Sequence, residues 1–94
     1  MAHSSGPITT SGAVKAASGT LWAVNVTKVA TGAGVVRVWD NPTTNSGGKL
    51  FEGDGLSQQS FQMNDGNGGA VMASQGMYVE LGGTTNATVI LIYD

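Results

Sequence analysis

Thr88-Val89-Ile90-Leu91-Ile92-Tyr93 is apolar on both of its faces. Read as a strand, it sets Val89, Leu91 and Tyr93 to one side and Thr88, Ile90 and Ile92 to the other. A strand in a small antiparallel sandwich ordinarily pairs one apolar face with one polar face, because only one of them meets the core. Here both faces require cover, and a chain of 94 residues has little material for a second layer. Another chain is the expected source.

The rest of the sequence agrees with strands. Thr20–Val29 alternates for ten residues, with Trp22, Val24 and Val26 on one side, which places Trp22 in the core. Gly32-Ala33-Gly34 turns the chain into Val35–Asp40, where Val36 and Val38 oppose Val35, Arg37 and Trp39. Asn41-Pro42 ends that strand, because proline cannot donate to a ladder. Short strands are predicted over Lys49–Glu52, Ser57–Met63, Ala70–Ala73, Met77–Leu81 and Ala87–Tyr93. Gly-, Asn- and Asp-rich turns separate them. Val14–Ala17 is the one weak helical candidate, too short between Gly12 and Gly19. The reading is all-β: a small antiparallel β-sandwich or jelly-roll-like domain of about seven or eight strands over 13–94. Residues 1–12 read as an extended N-terminal arm, polar except for Pro7 and Ile8, with too few apolar groups to order itself. A neighbouring subunit is therefore expected to hold it.

Composition narrows function. Hydrophobic residues make up 40% of the chain, enough for a core, and charged residues only 11%, less than half the usual share. The surface must then be built from Ser, Thr, Asn, Gln and Gly, which suits a protein packed against others. Net charge is −2, and Lys15, Lys28, Arg37 and Lys49 form no cluster, so no nucleic-acid partner is expected. Cysteine is absent, which removes disulfides, thiolate nucleophiles and cysteine metal sites. Met1-Ala2-His3-Ser4-Ser5-Gly6 has neither a basic start nor an apolar stretch, and no apolar run approaches the roughly 20 residues of a membrane span. The expectation is an intracellular, soluble chain with no membrane partner.

No residue set reads as a catalytic or cofactor site. Asp65-Gly66-Asn67-Gly68-Gly69 offers oxygens and glycines but lacks the order of a calcium loop, and a plain turn is the stronger reading. Glu52 and Asp54 could flank a glycosidic bond only if one were raised in pKa, and the glycines around Asp54 indicate a turn instead. His3, the single histidine, has no triad or metal partners in view. Asn25-Val26-Thr27 and Asn86-Ala87-Thr88 match the glycosylation pattern by chance in a chain without a secretory signal. The candidate residues are therefore interface ones: Pro7 and Ile8 in the arm, the aromatics Trp39 (contact surface or sandwich core) and Tyr78, and Ile90 and Ile92 on the surplus face.

Four stretches, Gly19-Thr20-Leu21-Trp22-Ala23-Val24, Val36-Arg37-Val38-Trp39-Asp40-Asn41, Gly76-Met77-Tyr78-Val79 and Gly83-Thr84-Thr85-Asn86-Ala87-Thr88-Val89, resemble a small β-sandwich domain of tailed-bacteriophage virion proteins. The resemblance spans Gly19 to Asp94, and its motifs are structural. It implies a non-enzymatic virion protein without cofactor or metal, made in the host cytoplasm and carried on the capsid surface. The expected role is capsid decoration (cement): binding the major capsid protein of an assembled shell, as a homotrimer suited to a shell axis. The alternatives are a neck or tail accessory protein, and a carbohydrate-binding host-attachment module using Trp39, Tyr78 and the Asn/Gln-rich loops.

Overall fold

The computed structural model describes residues 3–32, 34–53, 55–56, 58–62 and 71–94. The described residues form nine strands: β1 (His3–Ser4), β2 (Gly12–Lys15), β3 (Gly19–Lys28), β4 (Val35–Asp40), β5 (Gly48–Gly53), β6 (Gln59–Gln62), β7 (Val71–Ala73), β8 (Met77–Gly82) and β9 (Thr88–Tyr93). All pairings are antiparallel. The first sheet runs β1-β9-β3-β6, with β7 also pairing β3, and the second runs β2-β8-β4-β5. First pairs with last, second with next to last, and so inward to β4 with β5. That nested order is a jelly roll, two Greek keys wound into two facing sheets.

The core lies between the sheets. Leu21, Val24, Val26, Val89 and Leu91 from the first sheet meet Val36, Val38, Met77, Val79 and Leu81 from the second. Phe51 of β5 and Phe61 of β6 pack with ring centroids 4.8 Å apart, bridging the sheets along one side. The chosen side of Thr88–Tyr93 is now fixed: Val89 and Leu91 are fully buried and Tyr93 packs beside them, while Ile90 and Ile92 face outward, half-buried.

Trp22 corrects the sequence reading. It is 43% exposed, and Leu21 takes the inner position. The cause is a β-bulge: Leu21 stands opposite Tyr93, and Ala23, not Trp22, opposite Ile92, so β3 holds one extra residue there. A bulge breaks the two-residue period, so Trp22 and Ala23 both turn to the outer face before Val24 returns inward.

The arm is corrected too. Its own chain supplies partners for it, so a neighbour is not needed to order it. β1 pairs with β9, Ser5 N–H donates to Leu91 O at 2.9 Å, and Ile8 exchanges bonds with Val89 at 2.8 and 3.0 Å. The Ser5 hydroxyl accepts the Leu91 N–H at 2.9 Å. Ile8 packs against the core, and Pro7 is exposed. The stretch Val14–Ala17 is not helical: Val14 and Lys15 close β2 against β8. The arm therefore supplies the edge strand β1 of the first sheet and leads at Gly12 into β2, the edge strand of the second.

Two loops lock the ends. Asp40 closes β4 by accepting from Ser74 N–H and Oγ, Gln75 N–H and Gly76 N–H, which ties it to the turn between β7 and β8. Gly55 (φ +65°) is buried where a side chain would press on Val36 Cγ2 at 2.7 Å, so this turn requires glycine for both conformation and space.

Candidate contact faces

Strand alternation leaves two outer faces, one on each sheet, and they differ in chemistry. On the second sheet, Trp39 and Tyr78 are direct cross-strand partners, both half-buried. Arg37 stands opposite Glu80 on one side and Glu52 on the other. Its Nε donates to Glu52 at 2.7 Å and its Nη1 lies 3.3 Å from Glu80. Lys49 reaches Glu52 at 3.1 Å, and its ammonium stands 5.6 Å from the centroid of the Trp39 ring. Trp39 Nε1 donates to Glu80 Oε1 at 2.9 Å.

The fold thus gathers four charges, scattered in sequence, into one mutually neutralised network. The bond from Trp39 draws Glu80 below its ordinary pKa despite burial, with Arg37 and Asn45 adding to it. Arg37 and then Lys49 do the same for Glu52, and the two carboxylates raise Arg37. These pairs are partly exposed and contribute little each. Their geometric effect is to anchor the Trp39 ring through its bond to Glu80, with the Lys49 ammonium nearby.

On the first sheet the outer face mixes large apolar side chains with Thr20, Asn25, Thr27 and Thr88. Trp22, Ala23 and Met72 join Ile90 and Ile92 there. Met72, opposite Thr20 on the neighbouring strand, is 70% exposed, and its sulfur accepts the Thr20 hydroxyl at 3.4 Å. Ala23 is buried yet outside the core cluster. Trp22 and Met72 are contact candidates that sequence periodicity missed: the bulge hid the first, and the second sits on a three-residue strand too short to show alternation.

The six expected interface residues therefore do not form one surface. Ile90 and Ile92 lie on the first sheet's outer face, Trp39 and Tyr78 on the second's, and Pro7 and Ile8 along the β9 edge. His3 stands on β1 with its ring tilted against Tyr93, centroids 6.1 Å apart. Among the described residues, no three His, Asp or Glu converge as metal ligands would. Asp54 and the 65–69 loop lie outside the described residues. No protein-family model, curated protein or solved structure matches the chain.

Proposed function

We propose that this chain is a non-enzymatic structural protein of a tailed-phage virion, a decoration protein that binds the assembled major-capsid shell and reinforces it. The observation that supports this reading is the presence of two opposed faces bearing large side chains that the core does not use. Trp22, Met72, Ile90 and Ile92 occupy one, Trp39 and Tyr78 the other. Trp22 and Met72 stand exposed on neighbouring strands of one face, and large apolar side chains grouped at a surface favour a contact site. Faces on opposite sides let one small module bridge two neighbours, which is what cementing a shell requires. Repetition over symmetry-related sites then multiplies modest contacts into a stable coat.

Quantitative mass spectrometry of purified particles, scaled to the major capsid protein, tests the role. Copy number comparable to that of the shell subunits is expected. A few copies per particle would move the chain to the neck or tail, and absence from particles would end the virion reading. The neighbouring Trp39 and Tyr78 rings also favour a second reading, a sugar-stacking platform for host attachment. A glycan-array signal that Trp39→Ala abolishes would support it.

A further inference from the structure

We infer that arm residues 3–8 are a displaceable cover, and that the β9 edge beneath them takes an extended segment of a partner as an added strand. The occupant is an uninterrupted strand with apolar side chains at two alternate positions. It need not come from a virion.

The arm fits that edge imperfectly. His3 and Ser4 pair with Tyr93 and Ile92, and Ser5 N–H donates to Leu91 O at 2.9 Å. Ile8 then exchanges bonds with Val89 at 2.8 and 3.0 Å. Gly6 and Pro7 therefore stand where β9 has Ile90 alone, so the arm carries one residue too many for a straight ladder. Gly6 lies at φ +70°, outside the extended range, and Pro7 has no N–H to give. The Leu91 N–H ends on the Ser5 hydroxyl at 2.9 Å, a side chain in the place of the carbonyl that a regular strand offers.

The side chains fit imperfectly as well. Val89 and Leu91 point into the core and are fully buried. A strand beside them sets its own opposing residues on the same side. Ile8 fills the place next to Val89 with an apolar group. Next to Leu91 the arm brings only Ser5, polar and half-buried. His3, Ser4 and Pro7 are exposed, so Ile8 is the one large apolar side chain that burial holds down. A terminal segment with so little buried surface opens at far lower cost than the whole domain. From Thr9 onward the chain stays anchored, because Asn86 Nδ2 donates to Thr9 O and the Ser11 hydroxyl bonds both main-chain groups of Leu81.

What the arm lacks defines what replaces it. A straight strand meets the Leu91 N–H with a main-chain carbonyl, and it sets a second apolar side chain beside Leu91. Strand addition of this kind takes affinity from main-chain bonds and selectivity from alternate side chains. Until such a segment arrives, the arm shields the edge from indiscriminate pairing.

Amide NMR spectra of the isotopically labelled full chain, titrated with a synthetic peptide, test this. The probe is the sequence from His3 to Thr10 with Ser5→Val and a single threonine in place of Gly6 and Pro7. Saturable shifts centred on the Val89 and Leu91 amides are expected, with the Ile8 amide losing its bonded position. The unaltered peptide from His3 to Thr10 should bind about tenfold or more weakly, because it buries one apolar side chain fewer. Ile8→Ala in the full chain loosens its own arm and should raise affinity for the probe about fivefold or more, with circular dichroism checking the fold. No saturable shift up to millimolar probe overturns the site. So do equal affinities for the two peptides, or shifts centred on β2, β5 or β6. Unchanged affinity in a folded Ile8→Ala chain overturns the arm as a cover. If Ile8→Ala unfolds the chain, the two peptides on the unaltered protein still decide.

Discussion

Trp39 and Glu80 stand diagonally on neighbouring strands of the second sheet, and the indole N–H donates to the carboxylate across 2.9 Å. The bond fixes an aromatic ring on the outer surface with a partner 41 residues away in sequence. Trp39→Phe keeps the ring and removes the donor. It should lower stability by about 1 kcal/mol, read from the urea midpoint with unchanged slope. In a double-mutant cycle with Glu80→Gln the two losses should fall short of adding. Full additivity would show that the bond carries no coupling.

Asp40 makes stability depend on acid. Burial pushes its carboxyl upward, but the bonds from Gln75 N–H, Ser74 hydroxyl, Ser74 N–H and Gly76 N–H outweigh it, and the pKa falls below the ordinary value of 3.8. Because the folded value is the lower one, the unfolded chain binds the proton first. The contribution is complete above the ordinary value and is lost as pH drops through it to the folded value. Glu52 and Glu80 shift in the same direction. Urea unfolding from pH 7 to pH 2 should show stability falling through that window. Asp40→Asn, which turns an amide donor toward N–H donors, should be weaker at neutral pH by about 1–3 kcal/mol and flatter in acid.

Leu91 and Ile92 are adjacent and should respond oppositely. Leu91→Ala opens a cavity in the buried core and should cost about 2–5 kcal/mol in chemical unfolding. Ile92→Thr, on the half-exposed outer face, should cost under about 1 kcal/mol while lowering occupancy on particles measured by co-sedimentation. Equal losses of stability at both positions would show that the outer face is packed within the monomer.

Ile8 should matter to the isolated chain. It packs against the core and bridges Val89, so Ile8→Ala should lower stability by about 1–2 kcal/mol. Deleting residues 1–11 would strip Val89 and Leu91 of their edge bonds. An unpaired edge invites pairing with other chains, so light scattering should show concentration-dependent aggregation. A deletion variant as stable and monodisperse as the full chain would mean that the arm does not protect β9.

The all-β class, the strands from β3 to β5, β8 and β9, and the shared face of Val36 with Val38 were legible in the sequence. Alternation is a local property, and the turn residues that bound it are local too. The surplus apolar face of Ile90 and Ile92 was legible for the same reason. What covered the other side of that strand was not, because burial depends on a partner sheet distant in the chain.

Tertiary structure decided the rest. A single bulged residue turned Trp22 from core to surface, and a bulge is fixed by the register of two strands some seventy positions apart, which no local pattern records. The arm looked unable to order itself, and by itself it is; β9 offers it backbone groups and a place for Ile8. Charges at positions 37, 49, 52 and 80 read as scattered, yet the pairing of β4 with β5 and β8 makes them neighbours. Sequence sets which side chains can lie together on a strand, and strand pairing sets which of them meet.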